Sequence, residues 1–85
     1  MALLDTVGKR WTLRILWELR GEPLTFRALR AAADDVSPSV LNGRLAELRE
    51  LGIVEAGDAG YTMTEAGREL GDVLMALNGW ADAHL

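Results

Sequence analysis

Cysteine is absent from this chain. Disulfides, thiol switches and cysteine-ligated metal sites are excluded with it. The only histidine, His84, lies one residue from the C-terminus and reads as a solvated side chain. No carboxylate pair, nucleophile beside a base, or metal-ligand spacing stands out. No catalytic and no metal-binding residue is therefore assigned, an enzyme is not expected, and no cofactor is expected. Asp34-Asp35 belongs to a turn rather than to an acid–base pair. No apolar run approaches a membrane span, and Met1–Leu4 leads straight into Asp5 without the pattern of a signal peptide. A cytoplasmic protein with no membrane partner is the expectation.

Positive charge is also short. Nine Lys and Arg face thirteen Asp and Glu, for a net charge of −4. The imbalance is local. Residues 1–23 carry a net +1, residues 24–52 are neutral, and residues 53–85 carry −5 with Arg68 as their one cation. A nucleic-acid-binding domain usually shows a basic footprint. Any such surface must therefore lie in the first two thirds, with modest phosphate neutralisation per protomer.

What the chain does have is apolar residues, 49% of the total, which argues against disorder. Eighty-five residues suffice for one small domain, expected over 1–85. The most informative segment is 37–54, SPSVLNGRLAELRELGIV. Ser37-Pro38 is a helix start: a side-chain acceptor at the cap, then a residue with fixed φ and no N–H to lose. Leu41, Leu45 and Leu48 repeat at helical spacing and give one apolar face. Leu51-Gly52 stops the helix, and Ile53-Val54 begins an extended segment. A short capped helix running into a strand is how a winged helix-turn-helix presents its recognition helix, and it points to DNA.

The rest of the chain fits around that helix. Residues 3–20 read as one first helix, ended by Gly21 with Pro23 beyond. Its apolar residues fall almost all round the helix, so one face fills the core and the rest needs another partner. Residues 25–33 read as a second helix with Thr25 as cap and Phe26 and Leu29 inward. Ile53–Ala56 and Tyr61–Met63 read as a hairpin around Gly57-Asp58-Ala59-Gly60. Thr64 caps a last helix over about 65–83 with a stripe from Leu70 to Ala81. The fold class is mainly α with a small β-hairpin, a winged helix-turn-helix.

Four motifs in this order carry a resemblance: GKRWTLRILWEL at 8–19, PLTFRALR at 23–30, SPSVLNGRLAELRELGIVE at 37–55 and YTMTEAGREL at 61–70. The chain resembles the HxlR-type winged helix-turn-helix transcriptional regulators over nearly its whole length. The resemblance implies a bacterial DNA-binding regulator, dimeric through its first and last helices and without catalysis. Trp11, Phe26 and the pair Arg44-Leu45 match residues usual in that family. Two departures stand out. The family's wing is commonly longer and basic, whereas Ala56-Gly57-Asp58-Ala59-Gly60 is short and has no cation. Members that sense oxidants or electrophiles use a cysteine near the first helix, which this chain lacks.

In a helix-turn-helix the N-terminal part of the recognition helix meets base edges. Ser37 and Ser39 can donate to phosphate, and Asn42 can pair bidentately with adenine. Gly43 lets the helix approach the groove, and Arg44 reaches guanine or phosphate. Thr25 and Arg27 open the second helix, which crosses the DNA backbone in this motif. Lys9, Arg14, Arg20 and Arg49 are expected on a solvated face or in pairs within a helix. Trp11, Trp17 and Trp80 are expected in core or dimer packing rather than in a ligand pocket. Gly67 and Gly71, with Met75 and Asn78, make a low-relief side of the last helix that suits close approach of a partner protomer. The expected dimer interface is Leu3, Leu4, Val7, Trp17, Gly71, Leu74, Met75 and Asn78. The expected partners are double-stranded DNA and a second copy, with an unidentified effector at their interface. The alternative is a winged-helix protein–protein interaction module with weak or no DNA binding, favoured by the acidic balance.

Overall fold

Three helices begin on a hydroxyl cap. Thr25 Oγ1 accepts the Ala28 N–H at 3.1 Å ahead of α3 (Phe26–Ala32). Ser37 Oγ accepts the Val40 N–H at 3.2 Å ahead of α4 (Pro38–Glu50). Thr64 Oγ1 accepts the Gly67 N–H at 3.0 Å ahead of α5 (Glu65–His84). In this computed structural model, which describes all 85 residues, these helices follow α1 (Ala2–Val7) and α2 (Thr12–Glu18). A hairpin of β1 (Val54–Gly57) and β2 (Gly60–Met63) separates α4 from α5. No helix is long and apolar enough to cross a membrane.

The single first helix expected over 3–20 is instead two helices. Gly8 ends α1, its N–H bonded to the Leu4 carbonyl at 2.9 Å. Trp11 then takes a left-handed conformation, φ 78°, and restarts the chain as α2. The break is held by tertiary contacts. The buried Thr12 hydroxyl donates to the Thr6 carbonyl at 2.8 Å, spending a backbone acceptor that a continuous helix would use. Helical periodicity carries on through 8–11 in the sequence, so pattern alone does not reveal the break.

The core gathers Ile15, Leu16 and Leu19 around α2, Leu29 from α3, and Leu41, Leu45 and Leu48 from α4, over Ile53, Val54 and Met63. Leu41, Leu45 and Leu48 are at most 1% exposed, as their spacing predicts. The end of α4 is a Schellman turn. Gly52 at φ +74° lets its N–H reach the Arg49 carbonyl, while the Ile53 N–H reaches Leu48. Thr64 then ties the start of α5 back to this turn, donating from its hydroxyl to Gly52 at 2.5 Å and from its N–H to Ile53 at 3.0 Å.

The hairpin is tighter than expected. Antiparallel pairing runs from Val54↔Met63 to Gly57↔Gly60, leaving only Asp58-Ala59 as the turn. Gly60 has φ +121°, and a Cβ there would collide with the Leu24 carbonyl. The reason is a third extended segment. Leu24 and Tyr61 exchange backbone hydrogen bonds at 3.0 and 2.7 Å, joining the hairpin to the lead-in of α3.

Gly67 also differs from expectation. It lies buried against its own domain, where a Cβ would run into the Ile53 carbonyl and sit 3.2 Å from Met63 Cβ. Its small size serves the seating of α5 on the hairpin, not the approach of another protomer. A Cβ added at Gly71, one turn on, would sit 3.9 Å from Met63 Cε, in ordinary contact. Beyond this point α5 leaves the core, and Val73, Met75, Leu77 and Trp80 are all more than half exposed.

Candidate nucleic-acid interface

The unit formed by α3, its following turn and α4 is fixed from beneath by two arginines. The turn carries Asp34 and Asp35 in consecutive left-handed conformations, which Asp tolerates better than most residues. Arg14 on α2 donates to the Ala32 carbonyl at 2.7 Å, to Asp34 at 3.0 Å and to Glu18 at 2.9 Å. The hydrogen bond with Glu18 raises the Arg14 pKa above its ordinary value; desolvation opposes this and Asp34 adds to it. Arg30 donates from Nε to the Val36 carbonyl at 2.8 Å. Arg14 thus does form the pair within a helix expected of it, and it also clamps the turn.

With Leu41, Leu45 and Leu48 inward, α4 turns Ser39, Asn42, Ala46 and Arg49 to solvent. Gly43 lies at the margin of that face, half-buried, yet a Cβ there would meet nothing within 4 Å. A glycine inside a helix costs about 1 kcal/mol relative to alanine. No contact within this domain requires Gly43. Ser37 is exposed and spends its Oγ as the cap acceptor, which leaves its hydroxyl proton free. Thr25 and Arg27 are exposed at the start of α3, on the same helix-turn-helix unit.

Arg44 is placed differently. The expectation has it reach guanine or phosphate from the flank of α4; the structure turns it toward the α1–α2 connection. Its Nε donates to the Arg10 carbonyl at 3.2 Å and its Nη1 to Glu47 Oε1 at 2.7 Å. Glu47 Oε2 accepts from Lys9 Nζ at 2.8 Å and lies 3.5 Å from the Thr6 hydroxyl. Lys9 is exposed, as expected, but its partner lies across the fold and not within a helix. The two partners are 38 residues apart, so no local pattern joins them. The hydrogen bond from Lys9, with Arg44 beside it, lowers the Glu47 pKa against an opposing desolvation.

A lowered carboxyl pKa adds stability that is full above the unfolded value and is lost as pH falls through the folded one. Glu47 therefore contributes at neutral pH; the contribution begins to fall near the ordinary carboxyl value of about 4.3 and is lost as pH drops through the lower folded one. Glu47→Gln is expected to lower Tm at pH 7 and to bring it closer to the parent at pH 3.5. A constant difference between the two thermal melts across that range would contradict this.

The wing offers DNA little. Glu55, Ala56, Gly57, Asp58 and Ala59 are exposed, and none is cationic. No three His, Cys, Asp or Glu side chains come together as a metal site. On the opposite side, α2 and α5 border an open apolar groove of about 850 Å³. Leu13, Leu16, Trp17, Leu74, Met75 and Leu77 are among the residues that line it. The Arg20 guanidinium stacks on Trp17 at 3.7 Å from the ring centroid. Of the residues expected at an interface, Leu4, Trp17, Met75 and Asn78 are exposed, and Leu3, Val7, Gly71 and Leu74 are half-buried.

A helix-turn-helix unit with a capped, outward-facing second helix, followed by a short hairpin joined to Leu24, defines a winged-helix transcriptional regulator. The chain belongs to the HxlR-like helix-turn-helix family, whose model matches residues 6–85. It is similar to the HTH-type transcriptional regulator YvaP of Bacillus subtilis (strain 168), at 29% identity over 92% of this chain and 79% of that protein. Among solved structures it is similar to quinone-bound YodB of B. subtilis, with 33% identity, a TM-score of 0.87 and coverage of 95% of this chain and 92% of that one. The reduced form of the transcriptional regulator YodB gives 30% identity, a TM-score of 0.86 and coverage of 96% and 87%. The protein is thus a transcriptional regulator of a winged-helix class, not an enzyme.

Proposed function

We infer that the protein acts as a homodimer that places the helix at 37–51 of each protomer in a major groove of a pseudo-palindromic operator. The observation that carries this reading is the face of α4 that no part of the domain covers, with Ser39 and Asn42 free and Gly43 at its margin. Asn42 would pair with adenine, and Ser37 and Ser39 would donate to phosphate. Thr25 and Arg27 would hold the backbone where α3 crosses it. Pairing of protomers is supported by the apolar surface on α2 and the far half of α5, where Leu13, Trp17, Val73, Met75, Leu77 and Trp80 are all exposed. Such a dimer sets half-sites about one DNA turn, roughly 34 Å, apart or at a multiple of it. An effector would enter the groove between α2 and α5, where it could shift the relation of the two protomers. Bound to DNA, the protein would sit with the nucleoid in the cytoplasm.

Selection of bound duplexes from a random or genomic pool tests the reading and yields the half-site spacing. Asn42→Ala is expected to cost about 1–3 kcal/mol on the selected site and to relax preference at one base pair. If no duplex binds at low salt, the regulator reading fails. The net charge of −4 and the acidic wing would then favour a winged helix that binds other proteins.

A further inference from the structure

We propose that the cation through which the recognition helix grips DNA is Arg49, against a backbone phosphate, and that Arg44 is spent inside the protein. This rests on the reading of α4 as the groove-facing helix. Ser39, Asn42, Ala46 and Arg49 follow one another at intervals of three, four and three residues, so they form a single stripe. All four are exposed, and the stripe runs about 15 Å along the helix. Arg44 and Glu47 lie off it, on the flank against the α1–α2 connection.

The helix-turn-helix unit holds four cations, and two of them are engaged. Arg30 bonds the Val36 carbonyl, and Arg44 bonds Glu47 and the Arg10 carbonyl. Arg27 and Arg49 enter no side-chain hydrogen bond and no ion pair. Their guanidinium groups therefore need not break a contact to meet phosphate. Arg49 lies in the last turn of α4, two helical turns beyond Asn42. A groove that receives Ser39 and Asn42 has its wall of phosphates near the far end of the same stripe. Glu50 is exposed too; four residues from Ala46 and about 20° around the helix from Ser39, it borders the same stripe on the side away from Arg49.

The test is DNA binding by fluorescence anisotropy across a salt series, with the selected duplex and with a duplex of unrelated sequence. Arg49→Ala is expected to reduce the slope of log affinity against log salt by about 0.9 per protomer on both duplexes. Because the exposed Arg49 side chain makes no hydrogen bond or ion pair within the domain, its variant should melt like the parent. Arg44→Ala should leave the slope unchanged and lower Tm. Arg44→Gln, which removes the charge and keeps a polar side chain, serves if the alanine variant does not fold, and it too should keep the slope. An unaltered slope in Arg49→Ala, with Asn42→Ala still weakening the selected duplex, overturns the proposal alone. A slope that falls with either Arg44 variant, as it does for a lost phosphate contact, overturns it as well. Absence of binding by the parent protein overturns the major-groove reading and this proposal together.

Discussion

Gly67→Ala lowers the stability of the folded protein by about 3 kcal/mol or more, at the upper end of overpacking costs. A helix-interior Gly→Ala change would otherwise add up to about 1 kcal/mol, so the sign itself is diagnostic. The added methyl would strike the Ile53 carbonyl, a backbone atom with no room to rotate away. That carbonyl accepts the Thr64 N–H at 3.0 Å and so holds the first turn of α5. The first turn of α5 and the end of α4 share this junction, and a shift there reaches both the hairpin and the recognition helix. A domain this small has a total stability of only about 4–13 kcal/mol. Thermal melts are expected to show Tm reduced by at least about 12 °C. Gly79→Ala on the same helix is the control, since a Cβ there meets nothing within 4 Å. Equal Tm values for the two variants would refute the packing described for Gly67.

In the proposed homodimer, Trp17→Ala is expected to give monomers at micromolar concentration, weakening association by about 2 kcal/mol or more, or roughly thirtyfold. Trp17 is 45% exposed and flanks the groove between α2 and α5. A large, half-exposed aromatic at the centre of an apolar surface is the residue type that most often anchors an interface. Its Arg20 neighbour already orders it, so little side-chain entropy remains to be lost on association. Truncation should leave the monomer's Tm nearly unchanged, because the ring fills no core space. Sedimentation equilibrium reads the effect directly. An unchanged dissociation constant would mean that the protomers meet elsewhere or not at all. Operator binding should fall with dimerisation, since each protomer alone offers one recognition helix and no basic wing.

Much of the architecture could be read from local chemistry. Thr25, Ser37 and Thr64 cap helices because a hydroxyl ahead of an apolar repeat has few other uses, and all three do so. Leu41, Leu45 and Leu48 are inward because spacing fixes their face. What escaped was set by distant partners. The left-handed turn at Trp11 goes with the contacts of Thr12 to Thr6 and of Lys9 to Glu47, and neither contact has a sequence signature. Gly67 looked like a helix–helix contact because a small residue announces close approach without saying to what. Arg44 looked like a DNA contact by motif, and its hydrogen bond to the Arg10 carbonyl depends on that same unexpected turn. The capping and core residues of the helix-turn-helix were therefore legible, while the division of its cations between inside and outside was not.

The hairpin tip has a consequence for how such a regulator finds its target. Non-specific affinity for DNA comes almost wholly from neutralised phosphates, and sliding along the duplex depends on it. A turn of Asp58-Ala59 between two glycines adds none of that affinity and repels the backbone. The protein should therefore dwell only briefly on random sequence and search mainly by three-dimensional encounters. Its occupancy of an operator would depend less on ionic strength than that of a basic-winged relative, and more on the few side chains that touch bases.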